Sequence, residues 1–280
     1  MTECRLVPYT SGCGVEAVGL NIAQLDDKGF ADLRSAFNTH GVIFLRDQVL
    51  EPDDHLAFAR RFGPIVINEY FPELETLPEI AVVRKDPDQK TNIGGGWHAD
   101  HSYDPAPALG SILLAREVPE SGGDTLFANM ANAFDALSEG LKATLRTLKA
   151  HHSSRHIYGP DGYYTHSDLG PKLKKGGILH DAVQPVVISH PETGREVLYV
   201  NPGHTRRIEG WTEEESRPLL DFLYAHATRP EFTCRFRWKP GSMAIWDNRS
   251  TWHLAVNDYH GQRRLMHRIT IQGQPLQGAG

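Results

Sequence analysis

Cysteine is scarce in this chain. Three residues in 280, Cys4, Cys13 and Cys234, make an odd number with no C-x-x-C pair. That argues against a disulfide framework and against a cysteine-ligated zinc site. Long apolar runs are missing too, so no segment reads as membrane-spanning and no membrane partner is expected. The first twenty residues, MTECRLVPYTSGCGVEAVGL, hold neither a basic stretch followed by an apolar one nor a cleavage signal, and the expected location is cytoplasmic. Excess positive charge is the third absence. With the 15 histidines neutral the net charge is −6, which argues against nucleic acid as a partner. The short basic run KLKK at 172–175 does not reverse this and reads as a solvated loop.

What is present is an ordinary globular composition, 40% hydrophobic and 23% charged, on a chain long enough to bury a core without staples. Runs rich in β-branched and aromatic residues, mostly bounded by Gly, Pro, Asn or Asp, predict strands at 41–46, 79–84, 111–117, 124–129, 182–189, 196–200, 232–238, 242–246 and 264–271. Amphipathic spacing predicts helices at 27–37, 52–62, 138–148 and 212–227. Pro52 is pre-set for a first turn, and Thr212 with Glu215 forms a T-x-x-E capping box. Strands outnumber helices and the two do not alternate, which favours a mainly β fold, a sandwich or jelly roll with flanking helices, in one domain over 1–280. The Gly- and Pro-rich stretch 158–177 is long enough to predict a lid loop.

The chemistry concentrates in GGGWHADHSY, residues 94–103. On a strand, His98 and Asp100 project from one face and can converge on one ion. Two histidines and one carboxylate with open coordination positions mark non-haem Fe(II) oxygenases. A third ligand must come from elsewhere, with His204, His253, His260 and His267 as candidates. A second H-x-D, His166-Ser-Asp168, lies in the 158–177 loop, where nothing fixes strand geometry. Arg264 and Arg268 are an even number of residues apart and face one side of a strand. The glycines at 94–96 lack the spacing of a phosphate-binding loop and read as a turn or as a flap over the metal, with Trp97 behind His98.

The motifs WHAD (97–100), GGDT (122–125) and W-D-N-R…H…A-V-N-D-Y…R-R-x-M-H-R (246–268), with FARRFGPI (58–65) and HPETGREVLYVN (190–201), resemble the taurine dioxygenase / 2,4-dichlorophenoxyacetate dioxygenase family over most of the chain. The resemblance implies a double-stranded β-helix in which His98, Asp100 and His253 hold Fe(II). It implies 2-oxoglutarate as cosubstrate, its distal carboxylate on Arg264 and Thr125, with Arg268 on the cosubstrate or an anionic substrate group. O2 is the second cosubstrate, succinate and CO2 are products, and an aliphatic C–H is hydroxylated, often beside a heteroatom. Charge reasoning agrees: Fe(II), one carboxylate and a dianion leave a net −1 that two inward arginines would offset. Self-association is common in the family, so a homo-oligomer is expected.

Taurine-cleaving relatives carry an asparagine at the position of Gly94 and a histidine at that of Asn68, so taurine itself is not the expected substrate. The expected substrate pocket holds Asn68, Gly94, His101, Tyr103 and Arg268. Segment 208–241 resembles the aryloxyalkanoate-cleaving branch, which points to a small aryloxyalkanoate-like organic acid. The alternatives are an alkylsulfonate or sulfate-ester dioxygenase of the same family, or a non-catalytic jelly-roll binding protein. A zinc hydrolase lacks its H-E-x-x-H helix, and a cupin its H-x-H.

Overall fold

The computed structural model describes residues 5–280, so Cys4 lies outside the described residues. The first half runs β1 (Arg5–Pro8), β2 (Val15–Val18), α1 (Asp27–His40), β3 (Val42–Leu45), α2 (Pro52–Arg60), β4 (Ile65–Val66), β5 (Glu73–Leu74), β6 (Leu77–Lys85), β7 (Gly110–Glu117), β8 (Thr125–Asn129), α3 (Met130–Asp135) and α4 (Glu139–Arg146). The second runs β9 (Lys149–Ser153), α5 (Arg155–Tyr158), β10 (Asp181–Pro185), β11 (Val187–Ser189), β12 (Glu196–Leu198), β13 (Thr205–Ile208), α6 (Glu213–Ala227), β14 (Thr233–Phe236), β15 (Met243–Asp247), β16 (Thr251–Ala255) and β17 (Arg264–Ile271).

A nine-stranded sheet follows the order β1-β2-β3-β15-β7-β17-β6-β5, with β4 also on β17. A smaller sheet, β14-β8-β16, packs against it as the second wall of a jelly roll. The side-chain period of two explains the layering. Along β3, Val42 and Phe44 enter the space between the sheets with Phe127, Phe236 and Trp246, while Ile43 and Leu45 face Leu33, Phe37 and Leu56 of the outer helices. Phe44 stacks on Phe236 at 4.2 Å between ring centroids, joining the two walls. Cys13 and Cys234 meet in the same interior as free thiols, their sulfurs 3.2 Å apart.

The predicted helices form where their signals lie. Asp26 caps α1, Ser138 caps α4, and Thr212 with Glu215 completes the capping box of α6. Helix α1 runs three residues further than predicted, to His40, and ends at Gly41 with φ 76°. The run 182–189 is two strands rather than one: it divides at Val186, whose N–H goes to Leu148. Among the described residues no helix is long and apolar enough to cross a membrane.

Candidate active site

His98 and His253 face one another in an isolated antiparallel bridge, with backbone N–H to O distances of 3.1 and 2.9 Å. The expectation of a strand through His98 and Asp100 needs correction here. Only His98 has a ladder partner, and the chain turns at Asp100, with His101 at φ 56°. Convergence therefore comes from a bridge followed by a turn. One Asp100 oxygen lies 3.5 Å from His98 Nε2 and the other 3.7 Å from His253 Nε2. All three potential ligand atoms lie within 4.8 Å of one another.

Their protonation suits a divalent ion. His98 Nδ1 donates to the Gly96 carbonyl at 2.8 Å, which leaves the Nε2 lone pair facing the centre. Burial pushes the His253 imidazole well below its usual range and so keeps it neutral. Burial alone would raise the Asp100 carboxyl, but Arg268 and the two imidazoles hold it well below the carboxylate range. Arg268 Nη2 sits 2.5 Å from Asp100 Oδ2, and Ser111 Oγ donates to the same oxygen at 3.0 Å. One carboxylate with two imidazole nitrogens is a donor set that fits Fe(II). Of the other third-ligand candidates, His267 faces Arg116 on the opposite side of β17, His260 is exposed, and the His204 ring centroid lies 6.1 Å from that of His98.

Arg264 is 4% exposed, yet its Nε and Nη2 have no partner. The neighbouring carboxylate, Asp124, is taken by Arg235 at 2.6 Å. The Arg264 guanidinium lies 5.7 Å from the Trp238 ring, and Trp238 Nε1 donates to Thr125 Oγ1 at 2.9 Å. A buried guanidinium with idle donors beside a threonine hydroxyl is a seat for a carboxylate. Arg268 follows four residues later on the same strand, with Nε also unpartnered.

Above the Asp100 centre opens a cavity of about 370 Å³. Asn68, Gly94, His101, Tyr103 and Arg268 all line it, as do Tyr158, Tyr164 and Asn257, not among the expected pocket residues, and His204, expected only as a ligand candidate. Gly94 has φ 77°, and a Cβ there would lie 3.1 Å from His98 Cε1, so both conformation and space call for glycine. Its N–H donates to Tyr164 Oη at 2.7 Å. The side-chain oxygen of Asn68 is committed to the N–H groups of Tyr70 and Phe71. Burial raises the Tyr158 phenol well above its usual range and pushes Tyr164 up to about 12, so both present neutral hydroxyls.

Tyr158 and Tyr164 belong to the 158–177 stretch flagged by length and composition, a signal that could have found them. That loop is folded over the cavity. Asp168 accepts from the N–H groups of Lys90 and Thr91 at 2.5 and 3.1 Å, and Lys172 reaches Asp86 and Gln89. The second H-x-D is thus a loop clasp. His204 is a ligand candidate in the sequence and Asn257 lies in the A-V-N-D-Y motif, but neither signal points to the cavity; topology brings them there.

Comparison with known proteins agrees with this geometry. The family model described as "Taurine catabolism dioxygenase TauD, TfdA family" matches residues 5–270. The chain is 36% identical over 277 residues to an (S)-phenoxypropionate/alpha-ketoglutarate-dioxygenase of Sphingobium herbicidovorans, covering 96% of this chain and 95% of that one. It is 33% identical to an alpha-ketoglutarate-dependent sulfate ester dioxygenase of Pseudomonas putida, covering 97% and 90%. The crystal structure of a taurine dioxygenase from Burkholderia xenovorans superposes with a TM-score of 0.83 at 33% identity, covering 98% of this chain and 93% of that one.

Proposed function

Because the chain belongs to the TauD/TfdA family and is a 2-oxoglutarate-dependent non-haem iron dioxygenase using Fe(II) and O2, we propose that it hydroxylates an aliphatic C–H beside a heteroatom in a small organic acid. An aryloxyalkanoate-like acid is the favoured class. In this reading His98, Asp100 and His253 are the iron ligands. The observation that carries it is the placement of the His–Asp–His cluster at an aromatic cavity whose one lining arginine, Arg268, borders the same carboxylate.

Bound Fe(II), with 2-oxoglutarate and O2, supplies the oxidising power, and succinate and CO2 leave. The protein's own part is positional. Arg264 offers two idle donors to the distal carboxylate of 2-oxoglutarate, and Trp238 fixes the Thr125 hydroxyl beside them. Ser111 and Arg268 hold the Asp100 carboxylate, which keeps it charged and oriented. The unpartnered Nε of Arg268 remains for the acid group of the substrate. Tyr158, Tyr164 and Phe71 supply flat apolar walls suited to an aryl ring and keep bulk water from the reacting carbon.

The family assignment displaces the non-catalytic and zinc-hydrolase readings. Sulfate esters and sulfonates stay as the second reading, because relatives carrying those names cover nearly the whole chain. O2-dependent succinate release, measured over a panel of aryloxyalkanoates, alkyl sulfates, alkylsulfonates and their neutral analogues, separates the two. Turnover with aryloxy acids is expected; coupling to neutral molecules alone would overturn the acid reading.

A further inference from the structure

His101 lines the cavity with a left-handed backbone, φ 56°, which few side chains adopt and which persists where the surroundings over-determine it. Here the constraint is Asp104. Its N–H donates to the His101 carbonyl at 2.9 Å, and its Oδ2 accepts from His101 Nδ1 at 2.8 Å. The other carboxylate oxygen makes no hydrogen bond, although His180 Nδ1 lies 3.3 Å away, and His180 Nε2 lies 3.4 Å from Glu69 Oε2. Gln184 fixes the Asp104 backbone through its carbonyl, at 2.8 Å.

We propose that Asp104 is a positioning residue for substrate binding, acting through His101, with Gln184 holding the Asp104 backbone in place. This rests on the substrate site assigned above. With Nδ1 committed to Asp104, Nε2 is the ring atom His101 has left for a ligand. Neither Asp104 nor His180 belongs to the metal cluster or to the Arg264 seat, so the iron and the cosubstrate do not require them. Three segments that shape the cavity meet at His180. These are the turn after Asp100, the 68–71 segment that carries Asn68 and Phe71, and the chain leaving the 158–177 loop, where Tyr70 Oη donates to the Ile178 carbonyl and the Ile178 N–H to Glu69. An imidazole held by a carboxylate whose own backbone is fixed by Gln184 is an arrangement that keeps a contact group in one geometry.

The test uses the full chain as its anaerobic Fe(II)·2-oxoglutarate complex, titrated with 2-phenoxypropionate and with hexyl sulfate while the visible charge-transfer band is followed. Asp104→Asn should weaken the acid-induced change by about tenfold and raise KM for the acid more than it lowers kcat. The Fe(II) and 2-oxoglutarate midpoints should stay within about twofold. Added to His101→Ala, it should cause no further loss, because the two act as one unit. Additive losses, or a lowered melting temperature with an unchanged acid midpoint, would overturn the proposal. If Asp104→Asn does not fold, Asp104→Ser is read by the same midpoints and the same cycle with His101→Ala. If neither acid moves the wild-type band, the substrate reading falls and this proposal with it. A missing band before any acid is added reports instead against the iron and cosubstrate reading.

Discussion

Replacing Arg264 by methionine should move stability and cosubstrate affinity in opposite directions. The guanidinium is nearly fully buried, two of its nitrogens lack partners, and burial lowers its pKa. Leaving such a group unsatisfied costs about 1–3 kcal/mol, and methionine of similar length removes that cost. For a chain of this size the gain corresponds to roughly 2–4 °C in melting temperature per kcal/mol. The packing of the side chain near Trp238 is partly lost, so the net rise should sit toward the lower end. Affinity for 2-oxoglutarate should fall by far more. Two charge-assisted hydrogen bonds at about 1.5 kcal/mol or more each give at least ~3 kcal/mol, or about two orders of magnitude in Kd. The assay is a pair of thermal melts, with and without saturating 2-oxoglutarate, and a calorimetric titration. A variant that melts below wild type without the ligand, or that binds 2-oxoglutarate undiminished, would refute the view of Arg264 as an idle cation awaiting a carboxylate.

Three further outcomes are expected. Gly94→Ala forces a Cβ to within 3.1 Å of His98 Cε1 at φ 77°, at a backbone cost of about 1–2 kcal/mol, and Fe(II) affinity measured by metal titration should drop about tenfold; unchanged affinity would show that the His98 ring has room to yield. Burial pushes His55 and His152 down to about 3 from an ordinary 6.5. Both are neutral when folded, so their contribution is fully present above pH 6.5 and is lost as pH falls from 6.5 toward 3. Urea unfolding should show stability declining by up to ~1.4 kcal/mol per pH unit per histidine, and His55→Leu should flatten that slope by one proton. Asp168→Ala removes the acceptor of the Lys90 and Thr91 N–H groups, so limited proteolysis should cut the 158–177 loop faster while His166→Ala leaves the rate alone.

Local physics made parts of this molecule legible in advance. Strand β17 matches its predicted bounds because RLMHRITI alternates faces between gly- and polar-rich flanks, and the capping box at Thr212 needs only residues three apart. Strands whose buried faces are polar escaped. β9 reads KAHHS, with His152 turned inward onto Ser102, and its place depends on pairing with β10 and β13. The His98/Asp100 pair was visible as a motif, but the reason for its convergence was not. A bridge to His253 and a left-handed turn at His101 are tertiary facts. The same holds for the commitment of Asp100 to Arg268; Asn68, by contrast, spends its side-chain oxygen on the N–H groups of Tyr70 and Phe71 in its own turn. Spacing in the chain identifies ligand types; the convergence of His98 and Asp100 with His253 and Arg268 depends on residues more than a hundred positions away.

The most direct measurement is an anaerobic one: apoprotein is loaded with Fe(II), 2-oxoglutarate is added, and the visible charge-transfer band of the chelate is recorded for wild type and for Asp100→Ala. Iron held by His98, Asp100 and His253 predicts a band that saturates at one iron per chain in the wild type and is absent in the folded variant. A band of undiminished strength in Asp100→Ala, or none in folded, iron-loaded wild type, would contradict that assignment.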